Sequence, residues 1–270
     1  MSSNGTEILN SFISAPELKL NSETYPFLNF SFYKEEIAES EFIFPKNSII
    51  GLQAEACFEA FLKNSKHYRL LASNLQIQGE KGTIGELDYI VQNQATDEVV
   101  HIELSCKFYL YDNKITTSEE SKWIGPNRKD SLYDKLEKLK SKQFPLIRAL
   151  DTIKTLDEIN IPIPISQQLC LKVFLFVQKK ANLNNFSNNY KNCIVGYWIK
   201  HIDFDREDKD AFFAIPCKKQ WLLPKKQITT WLSYNEVKEE IERQIKLKKS
   251  PLVYKKTEQQ IEQFFVVWWS

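Results

Sequence analysis

The stretch GELDYIVQNQATDEVVHIELSCKFYL, residues 85–110, carries two runs of alternating character separated by a polar segment. The alternation predicts a strand over 86–92 and a longer one over 98–110. Residues 93–97 between them are rich in turn formers. Side chains alternate across a strand with a period of two. Glu86, Asp88 and Ile90 therefore share one face of the first strand, and His101, Glu103, Ser105 and Lys107 share one face of the second. Leu87, Tyr89 and Val91 turn the other way, as do Ile102, Leu104 and Phe108. Each strand thus has an apolar face, which suits the interior of a sheet. The acids and the lysine need an explanation, because burying an unpaired charge is costly. A hard divalent cation is one: Mg²⁺ takes oxygen ligands, usually one or two carboxylates plus water. The wet face of an antiparallel sheet, where alternate polar residues are ordinary, is the other.

Further motifs follow in order. Gly85-Glu86-Leu87-Asp88 and Glu103-Leu104-x-x-Lys107-Phe108-Tyr109-Leu110 precede Trp123-x-Gly125-Pro126 and Asp130-x-Leu132-x-x-Lys135-Leu136. Gln143-x-Pro145-Leu146, Trp221-Leu222-Leu223-x-Lys225 and Trp231-Leu232 come later. This series, over roughly residues 50 to 235, resembles the bacterial domain-of-unknown-function family numbered 1853, itself placed by remote similarity in the PD-(D/E)XK nuclease superfamily. The resemblance implies an α/β fold: a restriction-endonuclease-like αβββαβ core with a mixed central sheet and C-terminal additions. It implies that Glu55 is the helical acid, Asp88 the strand Asp and Glu103 the second ligand. Asp88, Glu103 and the Leu104 carbonyl would hold Mg²⁺, or Mn²⁺ in its place, and Lys107 would assist the attacking water.

One spacing departs from the superfamily pattern. There the acid and the lysine stand two residues apart; here Ser105 holds that place and Lys107 lies two residues further on. At about 3.3 Å per residue the Lys107 Cα falls roughly 13 Å from that of Glu103, instead of roughly 7 Å. A lysine stem leaning back or a bulge closes part of the gap; otherwise the amine anchors a phosphate. Ser105 is counted with the substrate-binding candidates. Arg128, Lys129 and Lys135 join it as the cations nearest in sequence, expected on phosphates. Gln143 corresponds to a helical glutamine that supports the site in some nucleases of the superfamily.

Composition bounds the function. The 270 residues, 43% of them hydrophobic, suffice for a sizeable core. A net charge of +1 provides no general attraction for nucleic acid. Cys57, Cys106, Cys170, Cys193 and Cys217 are scattered without metal-ligand spacing, which predicts reduced thiols in a cytoplasmic protein. The three histidines are far apart, and His101 is expected on a sheet surface. No run of about 18 apolar residues predicts a membrane span, and MSSNGTEIL has no signal-peptide pattern.

Along the chain, residues 1–47 read as an N-terminal arm with few regular elements, its aromatics Tyr25, Phe27, Phe30, Phe32 and Tyr33 packing on the body. Residues 48–180 read as the core and 181–270 as strands and a helix that extend it. A helix is expected over 48–64 with Ser48 as N-cap and Glu55 and Glu59 on one face, then a strand over 67–79. Gly79, Gly82 and Gly85 concentrate flexible backbone ahead of Asp88, but with no helix after them they make a poor phosphate cradle. A loop is expected over 112–122, a lysine-rich helix over 130–149 and an apolar strand over 169–178. Residues 194–200 and 211–217 read as a hairpin, and 235–249 as an amphipathic helix. Lysines 218, 219, 225 and 226 around Trp221 suit either a single strand of nucleic acid or a packed tryptophan with snorkelling lysines. The apolar tail 261–269 must pack on the body or on a partner.

Three function classes remain. The first is a Mg²⁺-dependent nuclease, with DNA ahead of RNA as substrate. The second is a catalytically inactive module of the same fold that binds nucleic acid or a protein, a second copy through the apolar C-terminus included. The third is a structural protein, which leaves the acids and the lysine of adjacent strands unexplained.

Overall fold

The computed structural model describes residues 3–21, 23–33, 42–207 and 209–269. Helix α1 (Ser3–Ile13), strand β1 (Leu28–Asn29) and helix α2 (Ile50–Asn64) come first. Strands β2 (Tyr68–Gly79), β3 (Gly82–Asn93) and β4 (Val99–Tyr111) follow, then the short α3 (Glu119–Lys122) and β5 (Trp123–Ile124). After α4 (Leu132–Lys138) and α5 (Leu150–Glu158) come β6 (Ser166–Gln178), α6 (Asn188–Lys191), β7 (Ile194–Lys200), β8 (Phe212–Ala214), α7 (Tyr234–Lys246), β9 (Leu252–Lys256) and β10 (Ile261–Val267). The chain is an α/β protein with a mixed ten-stranded sheet, and α2, β2, β3, β4, the helical segment and β6 reproduce the expected αβββαβ order. No helix among the described residues is long and apolar enough to cross a membrane. The chain forms two compact units, Met1–Cys106 with Leu136–Lys172, and Lys107–Lys135 with Val173–Ser270.

In the first unit β2 and β3 are an antiparallel hairpin closed by Glu80 and Lys81. Gly82 sits there at a φ of 117°, which favours glycine. Gly85 serves packing instead: a Cβ on it would lie 2.6 Å from the Leu146 side chain. The glycine cluster is therefore built into paired strand, not flexible backbone. Helix α2 forms because Cys57, Phe58, Phe61 and Leu62 recur on one face, and all four are buried. Its N-cap is Ile49, without a side-chain cap; Ser48 instead donates its backbone N–H to the Pro45 carbonyl. The arm is more regular than expected, since α1 buries Ile8, Leu9 and Phe12 at helical spacing. Phe30 is fully buried against Phe58, and Phe27 stacks on Phe144 with centroids 4.4 Å apart. Residues 34–41 of the arm lie outside the described residues.

The helix expected over 130–149 is broken. A π-helical turn, Leu139–Gln143, follows α4, then a 3-10 turn, Phe144–Arg148, that accommodates Pro145 near its start. Proline lacks the N–H that a continuous α-helix would use. The following α5, unforeseen in the sequence, buries Thr152 and Leu156.

In the second unit β7 runs parallel to β6 and to β10, β10 pairs antiparallel with β9, and β9 with β8. The hairpin expected from 194–200 and 211–217 does not form, because β10 and β9 lie between β7 and β8. The apolar tail explains this. Phe264, Phe265 and Val266 are fully buried, and a continuous apolar run suits a parallel strand covered on both faces. The tail is thus used within the chain. Helix α7 begins with a Ser233–Glu236 capping box and buries Tyr234, Val237 and Ile241 against Phe213 and Phe264. Trp221 is a packing residue, its ring 5.0 Å from Phe108 and 5.2 Å from Phe265.

Candidate functional site

Strands β3 and β4 pair Tyr89 with Ile102 and Ile90 with His101, so Asp88 and Glu103 are the next residues along each strand. An Asp88 carboxylate oxygen, Oδ2, accepts the backbone N–H of Leu104 at 2.8 Å. The acid of β3 thereby reaches the peptide that follows the acid of β4.

Glu103 is fully buried, and both its oxygens are engaged. Oε1 lies 3.0 Å from His101 Nε2, and Oε2 accepts from Gln143 Nε2 at 2.6 Å. Behind the histidine, Gln167 donates to the Phe144 carbonyl at 2.8 Å and approaches His101 Nδ1 at 3.1 Å. The Phe144 carbonyl needs a donor, so it is the amide nitrogen of Gln167 that faces both groups. That assigns Nδ1 as an acceptor and places the ring proton on Nε2, directed at Glu103. Gln167, His101, Glu103 and Gln143 thus form one chain of hydrogen bonds linking β6, β4 and the π-helical turn. Such a chain is what a buried carboxylate requires. His101, fully buried, is not the sheet-surface residue expected from its sequence; alternation gives the period of a strand but not which face is covered.

Glu55 lies on α2, half-buried. Burial raises its carboxyl pKa above the ordinary value, and the negative charge of Glu86 adds to the rise. The Tyr89 hydroxyl donates to the Glu55 carbonyl at 3.0 Å. Burial first, then the charges of Glu55 and Asp88, holds that phenol protonated well above the usual range. Negative charge is therefore concentrated around Tyr89. Glu59, the alternative helical acid, pairs with Lys63 at 2.5 Å. Ser105 is buried, and its hydroxyl has no hydrogen-bond partner among the described residues.

The remaining candidates lie in the second unit. Lys107 is 2.9 Å from the Asp130 carboxylate, both side chains about two-fifths exposed. Arg128 binds the buried Asp112 at 2.7 Å and its guanidinium covers the Trp269 ring at 4.7 Å. Lys129 is exposed and Lys135 half-buried. Arg128 therefore has structural partners already, and Lys107 has an acid as its immediate neighbour.

The family model described as Domain of unknown function (DUF1853) matches residues 34–267. The chain belongs to this family. Neither the curated proteins nor the solved structures gave a match.

Every candidate residue lies inside the span matched by the DUF1853 model. Among the described residues no group of three or more His, Cys, Asp or Glu side chains converges as a metal cage. Mg²⁺ does not require one, because one or two carboxylates completed by water and phosphate are its usual set. The donors at Asp88, Glu103 and the Leu104 peptide are oxygens, and a carboxylate oxygen keeps a second lone pair beside one hydrogen bond. Their chemistry fits a hard cation. Three participants are not among the expected site residues: His101, Gln167 and Asp130. His101 shares a strand face with Glu103 but was expected at the sheet surface, Gln167 stands 66 positions from the histidine it meets, and Asp130 stands 23 positions from the lysine it pairs with.

Proposed function

We propose that this chain is a Mg²⁺-dependent nuclease, with Asp88 and Glu103 as its acidic pair and DNA ahead of RNA as its substrate. The observation that supports it is the junction at the Leu104 peptide, where Asp88 accepts the N–H and the neighbouring Glu103 is fixed by Gln143. Asp88, Glu103 and the Leu104 carbonyl would hold the cation. When bound, Mg²⁺ supplies charge neutralisation for a phosphodiester and a more acidic water. Glu55, whose raised pKa favours the protonated carboxyl more than usual, would hold or hand over a proton through water. His101 and Gln143 keep the Glu103 carboxylate from rotating, a positioning role. Lys107 would meet the negative charge that develops on the phosphate, after releasing Asp130.

A specific observation favours a second reading, an inactive nuclease-fold module that binds nucleic acid. Glu103 is closed off by two donors, and the Lys107 amine is held by an acid. The experiment is cleavage of labelled single- and double-stranded DNA and RNA with Mg²⁺ or Mn²⁺, with Asp88→Asn and Lys107→Ala purified in parallel. The nuclease reading expects cleavage by the wild type and none by Asp88→Asn. Loss in Lys107→Ala as well assigns the shifted lysine a part in the reaction. Retention of labelled DNA in a gel without cleavage under either metal replaces the nuclease with the binding module.

A further inference from the structure

The second unit contains a cleft of about 420 Å³, within the size range of small-molecule sites. Trp221, Pro216 and Leu247 give it an apolar wall. Lys129, Lys218 and Lys249 line it from three separate segments. None of the three has a carboxylate within ion-pair distance among the described residues. Arg243 also lines the cleft, but Glu240 already holds it through two hydrogen bonds of 2.8 and 2.7 Å. Among the described residues the one acid in the lining, Asp130, is paired with Lys107. Lys249 lies just beyond the C-terminus of α7, where a cation complements the helix dipole. That accounts for one amine; a second, Lys218, lies over the Trp221 ring at 5.8 Å, and Lys129 is left without a partner of either kind among the described residues.

A second observation concerns Ser250, which also lines the cleft. It is buried, yet its hydroxyl has no hydrogen-bond partner among the described residues. Buried hydroxyls are almost always paired, so a missing partner marks a place for one. The site is also held in shape. The Ser250 N–H donates to Asn127 Oδ1 at 2.9 Å, and the Trp269 indole donates to the Pro126 carbonyl at 2.9 Å. Gly125 and Asp130 close the loop between them through an N–H to carbonyl bond of 2.8 Å. The backbone that carries Lys129 is therefore a fixed loop, and the ordering left for a ligand to impose is that of the lysine side chain.

We propose that this cleft binds a nucleoside monophosphate. Its phosphate would meet the amines of Lys129, Lys218 and Lys249 in charge-assisted hydrogen bonds, its base would lie against Trp221, and the Ser250 hydroxyl would hydrogen-bond the ligand. A bare phosphate leaves the aromatic wall unused, and an uncharged ligand leaves three amines uncompensated. The proposal does not depend on the acidic pair at Asp88 and Glu103.

The test is calorimetric titration of the full chain with adenosine 5′-monophosphate, adenosine and inorganic phosphate, each to millimolar concentration. The monophosphate is expected to bind saturably and about tenfold or more tightly than either fragment. The double variant Lys129→Gln/Lys249→Gln should weaken it about tenfold or more, and Ser250→Ala about fivefold. Trp221 is left in place because it packs on Phe108 and Phe265. Both variants should still melt cooperatively as folded proteins, and Asp88→Asn should bind as the wild type does, which separates this proposal from the nuclease reading. No saturable binding, equal affinity for a fragment, or wild-type affinity in both cleft variants would overturn it. So would loss of binding in Asp88→Asn.

Discussion

Replacing Gln143 by methionine would remove one hand from the buried Glu103 carboxylate at almost constant side-chain shape. The lost donor lies 2.6 Å from Oε2. A hydrogen bond to a charged group contributes about 1.5–3 kcal/mol net. Glu103 is fully buried, so water does not replace the missing donor and part of the desolvation cost of that oxygen is added. His101 still donates to Oε1, which keeps the loss below that of an uncompensated charge, about 3–5 kcal/mol. The expected destabilisation at neutral pH is about 2–4 kcal/mol.

The assay has to see the first unit. All six tryptophans lie in the ranges 107–135 and 173–270, so their fluorescence follows the second unit. Amide exchange along β4 reports the local opening free energy around Glu103 directly. The same substitution in a Glu103→Gln background should cost about 1 kcal/mol or less, since no charge is left unpartnered. A loss under about 0.5 kcal/mol, or an equal loss in both backgrounds, would refute the reasoning that the charge of Glu103 governs this network.

Two further outcomes are expected. The raised pKa of Glu55, caused by burial and then by Glu86, means that the fold favours its protonated form. That stabilisation is present below the unfolded-state value of 4.5 and is lost as pH rises through the raised value. Melting curves should therefore find Glu55→Gln more stable than the wild type at about pH 7, with the gap closing towards about pH 4; a gap independent of pH would show that the Glu55 charge carries no such cost. Gly196→Ala would drive a Cβ into the Gln263 carbonyl oxygen, with the Phe176 ring 2.8 Å away. Overpacking of this kind costs about 1–3 kcal/mol, more where backbone is the obstacle, and urea unfolding followed by tryptophan fluorescence reads it in the right unit. Wild-type stability would contradict the pairing of β7 with β10.

The two central strands were legible because their turn and their alternation are local properties. The pattern anticipated β3 and β4 from residues 86–92 and 98–110, and the strands run over Gly82–Asn93 and Val99–Tyr111. Helix α2 was legible for the same reason, its period carried by Cys57, Phe58, Phe61 and Leu62. What failed was non-local. The parallel pairing of β10 with β7 joins residues more than 60 positions apart, and nothing in either segment names the other. Three glycines before Asp88 suggested flexibility, whereas one answers a turn and another the girth of Leu146. Lys107 was measured against Glu103 along the strand, but its closest acid came from Asp130, beyond the reach of any spacing rule.

Gln143 shows how a resemblance and a geometry can meet at one residue and still leave two meanings. A glutamine that holds a carboxylate is equally a support for a metal ligand and a partner that makes a buried charge tolerable. The two roles separate in what they leave free. A purely structural carboxylate needs only donors on its oxygens, whereas a ligand must also keep a lone pair directed at the cation. His101 and Gln143 supply one donor to each oxygen of Glu103, and the Asp88 carboxylate comes to the adjacent peptide. If that arrangement orients a ligand, Gln143→Met should weaken Mn²⁺ binding about 10- to 100-fold, by analogy with other supporting residues of metal sites. Titration of Mn²⁺ by its electron-spin signal measures this without any substrate. Loss of stability with unchanged Mn²⁺ affinity would assign Glu103 to the core and leave Asp88 without its proposed companion.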